Sequence, residues 1–279
     1  MPYIKLKNTR IFYLLYKCEC KNEDKAETII LIHGAGGNHL SMLSVFDYIK
    51  KKYGKNFNIL ALDLPFHFRS MPEKGRSNIN ADNIPINNGI EYYAKTAFAT
   101  AAGLFNENAG FILIGHSMGA QIALKYASLY PCKTSRVMLI AGCHNTCITD
   151  SFIKSLEKSF DKTIMIFLKD AYASFDKNIL KNAMDDIKRT PPQIVINDFK
   201  YVKYFNEDFK NDIDNINRHK IFFDLVYSKK DRIIKEECVK ELYEKLENSK
   251  LSEITSKNHI ELLFKNFELE KEIDKFLLT

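Results

Sequence analysis

The chain has 279 residues, of which 46% are hydrophobic and 27% charged; this is the make-up of an ordinary globular protein and excludes a disordered or collagen-like one. A chain of this length accommodates one large α/β domain with an insertion, and buries enough surface to need neither disulfides nor a metal for its core. The 41 basic and 35 acidic residues leave a net charge of +6, spread along the chain without a Lys/Arg block interleaved with aromatics, so nucleic acid is not an expected partner.

Tyr3–Lys7 and Arg10–Cys18 alternate and are rich in β-formers, with Asn8-Thr9 between them, which predicts a hairpin. This opening has no basic start, clean apolar stretch and small-residue cleavage site, so it is not read as a signal peptide. A cytoplasmic protein is expected, with Cys18, Cys20, Cys132, Cys143, Cys147 and Cys238 as reduced thiols. Neither Cys18-x-Cys20 nor Cys143-His144-x-x-Cys147 has the paired spacing of a zinc site. Thr28–His33 is a short apolar strand running into Gly34-Ala35-Gly36-Gly37. His39–Lys52 has helical spacing, Asn56–Leu62 is a second buried strand, and 64–89, rich in Pro, Asn, Ser and Gly, is a long loop. Ile90–Phe105 is a helix. Phe111–Gly115 is a strand leading directly into the helix Met118–Leu129, and Arg136–Ala141 is another strand. From about Cys143 to His219 the rhythm changes to helices alone, broken at Pro191-Pro192. Ile221–Tyr227, helix Lys235–Glu247, Lys250–Thr255 and a final helix from about Ile260 to Leu278 complete the chain. Continuous apolar strands alternating with helices indicate a mostly parallel sheet covered on both faces. No apolar run approaches the ~18–20 residues of a membrane span.

Gly115-His116-Ser117-Met118-Gly119 matches G-x-S-x-G in the one context that makes it informative, between a strand and a helix. A serine in a sharp strand-to-helix turn is strained, and its neighbours two positions away must be small. The helix that follows directs its positive end at a developing oxyanion. With these residues the chain resembles the α/β-hydrolase superfamily, over nearly its whole length. The resemblance implies an eight-stranded, mostly parallel sheet flanked by helices, with a helical lid inserted after the sixth strand: a core of residues 1–142 and 220–279 and a lid of 143–219.

Further segments carry the resemblance. His33-Gly34-Ala35-Gly36-Gly37 resembles the oxyanion loop, which implies Ala35 and Met118 as the backbone donors. Asp63-Leu64-Pro65-Phe66-His67-Phe68-Arg69-Ser70 resembles the D-x-P-G-x-G-x-S segment, with Phe66 and Phe68 in place of both glycines. Asp231 follows the penultimate strand and His259 the last one, so Ser117…Asp231…His259 keeps the family's chain order of nucleophile, acid and base. Asp150, after the sixth strand, is an alternative acid. The resemblance implies a serine esterase of the carboxylesterase kind, acting on a small to medium ester through an acyl-enzyme, with no metal and no cofactor. His33, Gly34, His116, Phe66, Phe68 and Phe167 are expected to line the substrate pocket. C–C bond, thioester or aminopeptidase chemistry on the same triad, or a non-catalytic receptor on this fold, are the competing readings; Asp185, Asp186 and Asp198 are the candidates for gripping a substrate amine. Oligomeric state is not legible.

Overall fold

The computed structural model describes residues 2–6, 9–19, 26–71, 84–105, 110–146, 148–174, 176–205, 209–255, 257–264 and 266–278. The N-terminal hairpin is β1 (Tyr3–Leu6) and β2 (Thr9–Tyr16), followed by β3 (Thr28–Ile32), α1 (Leu43–Tyr53), β4 (Asn58–Leu62), α2 (Gly89–Leu104), β5 (Phe111–His116), α3 (Met118–Leu129) and β6 (Thr134–Ile140). Helices α4 (Asp150–Lys158), α5 (Phe160–Ala171), α6 (Lys177–Ile187), α7 (Pro192–Lys203) and α8 (Phe209–Arg218) come next, then β7 (Phe222–Ser228), α9 (Glu236–Lys245), β8 (Ser249–Ile254) and α10 (Phe267–Leu278). The eight strands form one sheet in the order β1-β2-β4-β3-β5-β6-β7-β8. Only β2 runs against the rest.

The apolar runs are continuous because both faces of the sheet are covered. Side chains alternate across a strand, and the strands sort accordingly. Ile30, Ile32, Leu60, Leu62, Leu113, Val137 and Leu139 pack with α2, α3 and α9. Ile29, Leu31, Ile59, Ala61, Ile112, Ile114, Met138 and Ile140 pack with α1 and α10 on the other face. Helix α3 lies between the sheet and its neighbouring helices, and only Leu129 of its residues is not buried.

The helical segment between β6 and β7, an insertion in the alternation of strand and helix, divides in two. Helices α4–α7 share a small apolar core of their own, including Leu156, Ile164, Leu168, Ile187, Val195 and Phe199. Phe209, Ile213 and Ile216 of α8 instead join the main core. Lys125 of α3 donates to both oxygens of Asp212 on α8, at 3.0 Å each, and the Ser128 hydroxyl donates to one of them at 2.7 Å. Among the described residues no helix is long and apolar enough to cross a membrane. Cys132, Cys143 and Cys238 are in the thiol form. Cys18, expected as a thiol, is in a disulfide; Cys20 and Cys147 lie outside the described residues. No metal-binding group of His, Cys, Asp or Glu occurs among the described residues.

Candidate active site

The ends of β3, β5, β7 and β8 supply the site, as crevices at the carboxyl ends of parallel strands do. Leaving β5, the chain turns at Ser117 with φ 55° and ψ −118°, and α3 begins at the next residue. A side chain at either flanking glycine would strike backbone. A Cβ on Gly115 would sit 2.1 Å from the Gly119 carbonyl oxygen, and one on Gly119 would sit 2.2 Å from that of Ile32. The G-x-S-x-G spacing is thus the condition for packing this turn against β3.

His259 Nε2 lies 3.1 Å from Ser117 Oγ, and its Nδ1 lies 2.8 Å from Asp231 Oδ2. The other Asp231 oxygen accepts the Ile233 and Ile234 amides at 2.8 and 3.0 Å. These two amides aim the carboxylate and leave Oδ2 for the imidazole. His259 is anchored by its own carbonyl, which accepts from His116 Nε2 at 3.0 Å. Burial first, and then the neighbouring His259, push His116 down to about 3, so it remains a neutral brace. Asn258 donates to the Tyr172 carbonyl and to Glu261, and the Ile260 amide donates to the Ala171 carbonyl. The histidine loop is therefore fastened to the C-terminal end of α5.

Beside Ser117 runs the glycine loop, closed by a hydrogen bond from the Gly37 amide to the Gly34 carbonyl at 3.1 Å. Met118 is the first residue of α3, a position whose amide has no acceptor within the helix. Ala35 and Met118 both line the cavity that contains Ser117 and His259. That cavity holds about 400 Å³ and its walls are largely apolar, with Ile148, Phe152, Phe167 and Phe199 from the insertion and Ile234 and Leu263 from the core.

Of the residues expected at the pocket, Gly34, His116 and Phe167 line the cavity, whereas His33, Phe66 and Phe68 do not. His33 is fully buried, accepts the Leu64 amide on Nε2 at 3.1 Å and donates from Nδ1 to the Gly34 carbonyl at 2.8 Å. Burial, and then His67, lower it to about 4; it braces the loop from behind as a neutral ring. Phe66 packs on Ile194, and Phe68 stacks on His39 with Arg189 over its face. Both take the left-handed backbone, φ 68° and 39°, which glycine would adopt without strain, so the bend survives the loss of its glycines. Asp150 is exposed and paired with Lys203, and it is Asp231 that meets His259 Nδ1. His39, which had no context in the sequence, pairs with buried Asp63 at 2.7 Å. Asp185 and Asp186 are exposed, and Asp186, at the cavity, pairs with Arg189. Asp198 is wholly buried and is not a cavity residue.

A family model described as the alpha/beta hydrolase fold matches residues 27–265. No curated protein matches the chain. Similar solved structures include a lipase-esterase related protein from Clostridium acetobutylicum, 19% identical with a TM-score of 0.74, covering 95% of this chain and 99% of that one. A carboxylesterase structure from Nitrososphaera gargenis is 15% identical with a TM-score of 0.77, covering 99% and 98%. The enol-lactonase from Burkholderia xenovorans is 15% identical with a TM-score of 0.75, covering 100% of both chains. At these identities the likeness is one of fold.

Proposed function

This chain belongs to the α/β-hydrolase family, and from that premise we propose that it is a serine hydrolase cleaving small to medium carboxylic esters through an acyl-enzyme. The observation that carries the reading is the unbroken hydrogen-bonded row Ser117–His259–Asp231 on the wall of an apolar cavity. Ser117 Oγ attacks the ester carbonyl as His259 Nε2 takes its proton, and Asp231 stabilises the imidazolium and keeps the remaining proton on Nδ1. The tetrahedral oxyanion accepts from the Ala35 and Met118 amides. The intermediate collapses, the alcohol leaves with the proton from His259, and water activated by the same imidazole releases the acid and restores Ser117.

A cavity of about 400 Å³ lies at the small end of the range for ligand pockets, which favours a compact ester over a long-chain lipid. Cyclic esters fall within the same chemistry; among the structures of similar fold is an enol-lactonase. In this reading the core comprises 1–142 and 220–279 and the 143–219 insertion serves as the lid, its α4–α7 part roofing the cavity. An aminopeptidase lacks support, because Asp198 is buried elsewhere and Asp186 is paired with Arg189. The test is the initial rate on p-nitrophenyl esters of increasing acyl length, with Ser117→Ala beside the wild type. Rates that peak at short acyl chains and vanish in the variant are expected. No turnover at any length, with no labelling of Ser117 by a fluorophosphonate, would overturn the reading.

A further inference from the structure

The most deeply buried charge in the insertion is Asp198 on α7, with no exposure at all. Its Oδ2 accepts from the Gly36 amide at 2.8 Å and from His67 Nε2 at 2.8 Å, and its Oδ1 accepts the Tyr93 hydroxyl at 2.9 Å. The other ring nitrogen of His67 faces the Pro65 carbonyl at 3.0 Å. A carboxylate and a carbonyl can only accept, so both ring nitrogens carry protons and His67 is an imidazolium. Burial alone would push His67 down, but the Asp198 carboxylate outweighs it and leaves the ring above its ordinary value. The pair is wholly shielded from solvent. A buried ion pair of this kind is a poor source of stability, because apolar residues of the same volume do as well or better. What it supplies is direction.

That direction falls on the oxyanion loop. The Gly36 amide belongs to the peptide unit that follows Ala35, and Gly36 itself sits at φ +65° with Ile187 and Val195 of the insertion closing in beside it. The Gly37–Gly34 hydrogen bond holds the loop on its other side. The plane of the Ala35–Gly36 peptide is therefore set by a carboxylate 162 residues on in sequence. We propose that Asp198 is a positioning residue of the reaction: seated by His67 and Tyr93, it holds Gly36 so that the Ala35 amide points at the oxyanion, and the insertion must be docked for Ser117 to turn over. This rests on the serine-hydrolase reading and on Ala35 as a donor. It also assigns a task to His67, which touches no substrate.

The experiment uses the full chain and compares Asp198→Ala, which removes the acceptor from the Gly36 amide, and Tyr93→Phe with the wild type on the best p-nitrophenyl ester, together with the affinity of an alkyl trifluoromethyl ketone, which forms an oxyanion adduct on the serine. A misaimed donor costs up to the factor of about 10²–10³ seen when one is lost. Asp198→Ala is expected to lower kcat by about 10–10² with KM within about threefold, and to weaken the ketone by the same factor as kcat. Tyr93→Phe, which removes one hydrogen bond and keeps the ring, should do the same on a smaller scale. A structural role alone would lower the melting temperature and leave kcat and ketone affinity unchanged below it, and that result overturns the inference, as does a loss carried by KM. If Asp198→Ala does not fold, Tyr93→Phe decides by the same criteria. The failures are separable: a wild type without esterase activity or fluorophosphonate labelling sinks the function, whereas an active wild type with unimpaired variants sinks the role of Asp198 alone.

Discussion

Asp231→Asn is the substitution for which the geometry makes the sharpest demand. The carboxylate uses Oδ1 for the Ile233 and Ile234 amides and Oδ2 for His259 Nδ1. Asparagine keeps the shape. Its carbonyl oxygen remains with the two loop amides, because reversing the side chain would set its NH₂ against two N–H groups. The NH₂ is then left facing His259 Nδ1 at about the same 2.8 Å, and a donor there makes Nδ1 an acceptor. The imidazole proton moves to Nε2, the nitrogen 3.1 Å from Ser117 Oγ. A protonated Nε2 cannot take the serine proton. Such a tautomer reversal costs about 10⁴ in kcat in the worked Ser-His-Asp case, or roughly 5.5 kcal/mol at 1.36 kcal/mol per decade. Ground-state contacts with the ester are untouched, so KM should stay within about twofold. The assay is steady-state hydrolysis of a short-chain p-nitrophenyl ester, with urea unfolding to show that the variant is folded. A loss of less than about tenfold would refute the assignment of Asp231 as the group that fixes the His259 tautomer.

Other predictions follow from the burial of charge. Lys125→Met leaves the Asp212 carboxylate buried with only the Ser128 hydroxyl among the contacts described above, so it should cost about 3–5 kcal/mol in urea unfolding; adding Asp212→Leu should restore most of it. His33 and His116 are held neutral, down to about 4 and about 3, while both titrate near 6.5 when unfolded. Their contribution is complete above that pH and is lost as pH falls towards their folded values, because the unfolded chain binds protons that the native one refuses. Stability should therefore decline from pH 6.5 to about 4, by up to about 1.4 kcal/mol per pH unit for each ring. His67, raised in the fold, is protonated in both states in that window and contributes its stability loss only on the alkaline side. A flat urea midpoint between pH 6.5 and 4.5 would contradict this account.

What the sequence disclosed and what it hid divide along physical lines. Strands β3 and β5 were legible because burial on both faces leaves unbroken apolar runs, and α3 because Gly119 must be small where the helix crosses β3. Ser117, Asp231 and His259 were read as a set because each follows a strand and together they keep the α/β-hydrolase chain order of nucleophile, acid and base. The Asp198–His67 pair joins residues 131 apart, and no local pattern marks either end. The place of α8 in the main core was hidden for the same reason, since Lys125 and Asp212 meet across 87 residues. Phe66 and Phe68 look like pocket residues from their nearness in sequence to the site, but a loop with two left-handed residues turns their rings away from the cavity, onto Ile194 and Arg189.

Those two phenylalanines allow the strain to be measured. A non-glycine residue in the left-handed region costs about 1–2 kcal/mol. Glycine removes that cost at either position, and loses about 0.5–1 kcal/mol again through the greater freedom of the unfolded chain, so the backbone balance favours glycine by about 1 kcal/mol. The side chains then decide. Phe66 is 5% exposed and packed against Ile194, Ile84 and Tyr92, and deleting such a ring costs about 3–5 kcal/mol. Phe68 is only partly buried, with guanidinium groups of Arg69 and Arg189 at 5.2 and 5.0 Å from its centroid, contacts of about 0.5–1 kcal/mol each at such sites. Phe66→Gly should thus be destabilising by about 2 kcal/mol or more, and Phe68→Gly by no more than about 2. Alanine separates strain from packing, since it keeps the left-handed cost while losing the ring: at both positions it should be less stable than glycine by about 1 kcal/mol. Urea midpoints of the four variants test this, and alanine matching or exceeding glycine at position 66 and at position 68 would show that the strain in the bend is no larger than the extra freedom of glycine in the unfolded chain, against the cost assigned to it.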